Sequence, residues 1–235
     1  MIKMLNQDNM EFESKHYEKP SLIFADCIYE SLDFSWVDKY WDMLAQGGVL
    51  ITMTDYHSAA EYKVHTSKLP DANLVNWLIW KNEFGNFKKD RFRQCHDDII
   101  IFSKGSKFRF DGKKVQVPKA TAKSKGLNPS GRTTKLATSV ITDITLTTVA
   151  KERIKMDDGH LVRWQKPKAL LHRLMAPFLL KGDLVIDPYM GSGTCGEVCY
   201  DNDWHYIGIE NDKDIFDLAE KRLKNFLNND DYIPF

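Results

Sequence analysis

Leu184, Val185, Ile186, Asp187, Pro188, Tyr189, Met190, Gly191, Ser192, Gly193 and Thr194 lead, after a short interval, to Tyr206, Ile207, Gly208, Ile209 and Glu210. An apolar run stops at an acid, small residues make a turn, a helix opens near Thr194, and a second apolar run ends in a second acid. That order is the plan of a nucleotide-binding βαβ unit, in which small residues let the backbone approach a ligand and the last acid accepts from ribose hydroxyls. Gly191 and Gly193 alone would require only a tight turn. Gly196 completes a Gly-x-Gly-x-x-Gly spacing, so the pattern by itself leaves a dinucleotide open as the ligand.

Composition sets the frame around this unit. The 235 residues, 43% hydrophobic, can bury one sizeable core, and a single domain over residues 1–235 is expected. No apolar run approaches the roughly 18 residues that cross a bilayer, and the first residues lack the parts of a signal peptide. A soluble, cytoplasmic protein with no membrane partner is the expectation. Cys27, Cys95, Cys195 and Cys199 have neither Cys-x-x-Cys spacing nor matched histidines, so neither a metal site nor a disulfide framework is expected. The net charge is zero, yet positions 88 to 135 hold fourteen Lys and Arg against four acids, a stretch suited to phosphate.

The apolar run at 21–25 reads as a buried strand stopping at Asp26. Reacting groups on open α/β sheets gather beyond strand ends, which makes Asp26, Cys27, Ile28 and Tyr29 a second candidate site. Read for structure alone, Asp26 is a strand-end cap and Tyr29 a half-buried aromatic. Ser35 is expected to cap a helix carrying Trp36, Val37, Tyr40, Trp41 and Leu44, and strands are expected at 49–53, 74–80 and 98–102. His57 follows the first of these, where a surface-loop histidine is the simpler reading. Lys88, Lys89, Arg91 and Arg93 interleave with Phe92, which suits a nucleic-acid backbone and a splayed base, or equally a solvated loop. Residues 104–159 have the least regular pattern, and Lys113, Lys114, Lys119, Lys123 and Arg132 within them fit a compact basic hairpin or a loop that orders on binding. An amphipathic helix follows Trp164, Gln165, Lys166 and Pro167, with Pro167 in its first turn, and Asp212 caps a closing helix whose apolar spacing includes Arg222.

The stretch from Asp187 resembles motifs I and II of S-adenosylmethionine-dependent amino methyltransferases acting on DNA, whose usual form is Asp-Pro-Phe-x-Gly-Ser-Gly-Thr; Tyr189 stands for the phenylalanine. Asp187-Pro188 tips the resemblance to a methyl donor over NAD. Asp26, Cys27, Ile28 and Tyr29 are similar in position to motif IV, commonly Asp-Pro-Pro-Tyr, with both prolines missing. Gln165, Lys166 and Pro167 resemble motif X, although Val162 stands where its histidine is usual. Asp8 matches the motif III acid only by position; a solvated turn acid is equally in view. The order of motifs, catalytic box first and cofactor loop last, resembles the β group, of phage or restriction-modification type.

The resemblance implies a Rossmann-like class I methyltransferase fold, with a mixed, mostly parallel sheet in circularly permuted order and residues 104–160 as a basic target-recognition insertion. It implies S-adenosylmethionine as cofactor, held by Asp8, Lys166, Pro167, Asp187, Pro188, Tyr189, Met190, Gly191, Ser192, Gly193, Thr194, Glu210 and Asn211. The implied reaction is methylation of adenine N6 in flipped-out DNA at Asp26, Cys27, Ile28 and Tyr29, with no metal. Asp26 favours adenine over cytosine N4, for which serine is more usual, and over the protein and RNA relatives, which usually carry asparagine. DNA contacts are expected from the basic residues named above, and so short an insertion favours a homodimer. The other reading is a methyltransferase-fold module that binds DNA or a partner protein without turnover, with Cys27 and Ile28 marking lost activity.

Overall fold

The computed structural model describes residues 1–29, 32–82, 89–120, 131–145, 153–155, 159, 162 and 164–227. Lys88 and Lys123 lie outside them. The strands are β1 (Ile2–Asn6), β2 (Leu22–Asp26), β3 (Val49–Thr54), β4 (Ala72–Lys81), β5 (His96–Lys104), β6 (Gln116–Pro118), β7 (Thr134–Leu136), β8 (Val140–Ile141), β9 (Leu184–Asp187) and β10 (His205–Glu210). The helices are α1 (Ser35–Met43), α2 (Ala59–Thr66), α3 (Lys168–Met175), α4 (Thr194–Asp201) and α5 (Lys213–Phe226).

Among the described residues, the main sheet runs in the order β1, β10, β9, β2, β3, β5, β4, β8. The first five are mutually parallel, and β5 runs against both β3 and β4. The apolar runs are continuous because both faces of the sheet are covered. Leu22, Phe24, Val185 and Tyr206 face a core shared with α3, α4 and α5, while Ile23, Ala25, Ile186 and Ile207 face one shared with α1 and α2. Period-two alternation thus sends successive residues of one strand into two separate cores.

Several local expectations need correction. Ser35 is the first residue of α1, not its cap: Asp33 Oδ1 accepts from Ser35 N at 2.9 Å and from its hydroxyl at 2.6 Å. The Asp33 carboxylate, two residues upstream, takes both the amide and the hydroxyl of Ser35, so that hydroxyl donates to it. Pro167 sits at the N-cap of α3 with an extended backbone, because Lys168 is the first helical residue. The helix at 59–66 has little apolar periodicity and was not expected from the sequence. Asp212 does cap α5, accepting from Asp214 N and Ile215 N.

The fold places the ends of β9 and β2 at its centre. From β9 the chain winds outward through α4 to β10, and from β2 it winds the other way through α1 to β3. This is the switch point of an open α/β sheet, where a crevice forms. The paired register of β2 and β9 consists of Leu22↔Val185 and Ile23↔Ile186, so the last residues of both strands, Asp26 and Asp187, lie past the pairing.

Asp187 is 2% exposed. Its carboxylate accepts from Tyr189 N at 3.1 Å and from the Tyr206 hydroxyl at 3.2 Å. Burial nonetheless pushes its pKa up to about 7, and the charges of Asp26 and Glu210 add to that rise. Because the folded value lies above the unfolded one of about 3.9, this group's contribution to stability is full below about pH 4 and is lost as pH rises through about 7. The ligand-free Asp187→Asn protein should therefore gain Tm over the parent by a margin that widens from about pH 5 to about pH 8; a margin independent of pH would contradict the assignment. Gly208 packs against the same group. A Cβ there would fall on the Tyr206 hydroxyl and 2.6 Å from Met190 Sδ. Gly208→Ala should cost about 1–3 kcal/mol by overpacking, read as a lower denaturant midpoint with unchanged slope.

Candidate functional site

A cavity of about 600 Å³ opens at the carboxyl ends of β2, β9 and β10. That is within the range of small-molecule sites. Its lining falls into two halves. One holds Asp26, Cys27, Ile28, Tyr29, Trp164 and Lys166; the other holds Asp187, Pro188, Tyr189, Gly191, Ser192, Thr194, Glu210 and Asn211. Residues 184–210 and 22–29, far apart in sequence, thus share one cavity.

The glycine loop is held in shape from three sides. Gly191 and Gly193 both take positive φ, +52° and +77°. A Cβ on Gly193 would also stand 3.0 Å from Leu223 Cδ1, so α5 packs onto the loop only because the position is glycine. The Gly191 amide donates to Glu210 Oε2 at 3.0 Å, and Asp212 N donates to Glu210 Oε1 at 3.0 Å. From the other side, Arg222 Nη1 donates to Ser192 O at 2.8 Å and to Thr194 Oγ1 at 2.9 Å. Arg222 is oriented by Glu197, at 2.7 Å from Nε and 2.8 Å from Nη2. Both side chains are largely buried, and a bidentate pair of this kind is strongly directional. The third glycine of the spacing, Gly196, serves packing: a Cβ there would lie 3.0 Å from the Tyr206 ring and 3.1 Å from Leu223.

In the other half, Lys166 Nζ lies 2.6 Å from Asp26 Oδ2 and 3.3 Å from Trp164 O, and 5.4 Å from the Tyr29 ring centre. Lys166 is 7% exposed, so this is a desolvated ion pair. Burial pushes Asp26 upward, while the Lys166 charge and hydrogen bond pull it back. Asp26 Oδ1 and the Tyr29 hydroxyl are buried with no hydrogen-bond partner among the described residues. Cys27 is fixed by its neighbour strand: its amide donates to Met53 O at 3.2 Å and its thiol to the same oxygen at 3.3 Å. Burial raises that thiol to about 12, which rules it out as a nucleophile. Tyr29 and Trp164 stand with ring centres 6.2 Å apart. Trp164 is 75% exposed and holds φ of +64°, a strained conformation for a bulky residue at the cavity mouth.

The structure gives several of the expected residues local partners. Lys166, expected on the cofactor, lines the cavity and pairs with Asp26. Asp8 uses Oδ1 on Met10 N at 2.7 Å, as the cap of a short turn, and does not line the cavity; Asn9 does, with Nδ2 3.2 Å from Pro188 O. Pro167, Met190 and Gly193 are not among the residues that line the cavity. Lys89, Arg91 and Arg93 sit on the loop entering β5. Lys119 and Arg132 flank the antiparallel β6–β7 ribbon. Lys114 is placed away from the cavity: its ammonium donates to Leu179 O at 2.8 Å, past the far end of α3. Lys113 shares its turn. His57 is exposed beside Tyr56.

Two contributors are visible in the sequence without their partners. Asp97 opens β5, is buried, and accepts from Asn82 Nδ2 at 3.0 Å. Burial raises its pKa, Lys166 lowers it, and Asp26 raises it again, which puts all three in one electrostatic cluster. Its sequence signal is a histidine–acid pair, His96-Asp97, just before an apolar run. Arg222 was visible as a charged residue within the apolar stripe of α5, an anomaly that marks a buried ion pair.

Comparison with known proteins agrees with this geometry. The type II methyltransferase M.HpaI of Haemophilus parainfluenzae is 28% identical over 210 residues, 86% of this chain and 62% of that protein. M.HinfI of Haemophilus influenzae is 33% identical over 156 residues, 64% of this chain and 39% of that protein. The chain therefore spans less than two thirds of the length of either relative. Among solved structures, the M1.HpyAVI–SAM complex superposes with a TM-score of 0.69 at 19% identity, covering 94% of this chain and 100% of that one. PvuII DNA methyltransferase, described as cytosine-N4-specific, gives 0.70 at 15% identity, covering 97% and 87%. The fold is accordingly that of class I methyltransferases. The family model described as DNA methylase, N6_N4_Mtase, matches residues 28–221, a span that begins two residues after Asp26 and takes in the glycine-loop half of the cavity, and the chain belongs to that family.

Proposed function

We propose that this protein transfers a methyl group from S-adenosylmethionine to adenine N6 in DNA, acting on a base turned out of the duplex. The observation that carries the reading is Asp26, which lines the cavity together with the glycine loop while its Oδ1 is buried without a hydrogen-bond partner among the described residues. Buried acceptors are nearly always paired, so one left open in a cavity suits a donor brought by a ligand.

The residues fit the methyl donor. Gly191 leaves open space where a side chain would stand, Glu210 offers carboxylate oxygens at the end of β10, and Phe24, Leu171, Ile209 and Ile215 supply apolar wall. Asp26, Asp187 and Glu210 give the cavity a negative bias that favours a cationic ligand. When bound, S-adenosylmethionine supplies an electrophilic methyl group on a sulfonium centre.

The chain's own part is to make the exocyclic amine nucleophilic. That amine is a poor nucleophile because its lone pair is delocalised into the ring; hydrogen bonds from its two N–H groups to fixed acceptors localise the pair. Asp26 Oδ1 is one acceptor. The Cys27 carbonyl is the other, on a backbone held by two bonds to Met53 O. These bonds supply the stiffness that the missing prolines would otherwise provide. Tyr29 and Trp164 offer ring faces for the extruded base, worth about 1–3 kcal/mol per stacked base. The charge and hydrogen bond of Lys166 oppose the effect of burial and favour the ionised form of Asp26, which accepts rather than donates. Adenine is favoured over cytosine by the aspartate at position 26, and residues 104–160 are proposed as the recognition insertion, in a homodimer.

Transfer of labelled methyl groups to mixed-sequence duplex DNA tests this. Asp26→Ala should lower kcat by at least about 10²–10³-fold with cofactor affinity little changed; equal loss of cofactor binding would make Asp26 a structural residue. The Lys166→Met variant removes the charge that holds the Asp26 pKa down. Its acid limb in kcat/KM should move to higher pH, and an unmoved limb would contradict the role given to Lys166.

A further inference from the structure

Phe92 is 101% exposed, the most exposed large hydrophobic among the described residues. Single exposed apolar residues are ordinary. The place and neighbours of this one are not. The chain reaches Asp97 five residues later, and Asp97 belongs to the Asp26–Lys166 cluster. Asn82 ties this segment down twice, its amide donating to Cys95 O at 3.0 Å and its side chain to Asp97 Oδ1 at 3.0 Å. Five residues of extended chain span at most about 17 Å, so Phe92 is tethered within that reach of Asp97 and its cluster. On its two sides are Arg91 and Arg93, with Lys89 nearby. Arg91 is paired with Asp90 at 2.6 Å, but both are exposed, and such a pair is readily exchanged for a phosphate.

Turning a base out of a duplex leaves a gap in the stack, and an apolar side chain inserted there offsets the lost stacking. The inserting side chain must be a ring not packed into its own protein, flanked by phosphate-holding cations, within reach of the acceptor. We infer that Phe92 is this wedge: it enters the stack at the position vacated by the target nucleotide while Arg91 and Arg93 hold the backbone beside it. Trp164 is the other strongly exposed ring near the site, but it lines the cavity next to Tyr29, which places it against the extruded base. The two aromatics divide the work, one replacing the base and one receiving it. This inference rests on the base-flipping reading above.

The test uses oligonucleotides carrying the methylated site, mapped first on mixed-sequence duplex, in two forms: fully paired, and with a mismatch opposite the target. The Phe92→Ala variant should lose on the order of 10- to 100-fold in kcat/KM on the paired duplex and almost nothing on the mismatched one, where the base is already loosened. Phe92→Trp should retain activity on both. Trp164→Ala should lose on both, because the extruded base must be received in either case. A 2-aminopurine at the target should brighten with the parent protein and stay dark with Phe92→Ala. Equal losses on the two substrates, or none, would overturn the wedge. Equal losses together with a smaller species on gel filtration would assign Phe92 to contact between two copies of the chain. A parent protein that methylates neither substrate would instead remove the methyltransferase reading, and the wedge with it.

Discussion

Two parallel strands that part company early create this site. Had the pairing of β2 and β9 continued in register, Phe24 would face Asp187 and Asp26 would face Tyr189, leaving no opening between the two strands. Their pairing consists of two residue pairs, and the crevice beyond it takes the two acids at its edges. Everything else in the chemistry depends on that opening: the glycine loop continues from one strand, the Asp-Cys-Ile-Tyr segment from the other, and the cavity lies between.

The cost of the arrangement is buried negative charge, and the surrounding structure is largely an answer to it. Asp187 is met by a backbone amide and a tyrosine hydroxyl, Glu210 by two backbone amides, and Asp26 by the ammonium of Lys166. Those partners leave Asp187 raised to about 7 and one oxygen of Asp26 unpaired. A ligand that brings a positive charge to one side and hydrogen-bond donors to the other would relieve both. Stability and function thus pull on the same groups in opposite directions, as they commonly do where a site is built for a partner that is not always present.

Much of this was legible in the sequence because it rests on local rules. The strand, glycine turn, helix and second strand at 184–210 follow from apolar runs interrupted by small residues, and the structure places them as read. The strand ending at Asp26 and the cap at Asp212 are equally local. What sequence could not give was which charge meets which. Lys166 reads as part of a helix-leading segment shared with cofactor-binding relatives, and only the folding of 164–167 over the sheet brings its ammonium to Asp26. Asp97 and Arg222 are the same kind of case, since an acid at a strand start and an arginine in an apolar stripe announce burial without naming the partner. Lys114 is the converse case. A basic run suggests phosphate, but a helix end nearby offered a carbonyl first.

Nucleoside mass spectrometry of duplex DNA incubated with the protein and S-adenosylmethionine tests the central claim most directly. The account predicts N6-methyldeoxyadenosine, formed in proportion to labelled methyl transferred. Bound cofactor with no methylated nucleoside would contradict it, and would leave the open oxygen of Asp26 without the donor for which it is proposed. Methyl groups found on cytosine N4 would keep the transfer and overturn the choice of base.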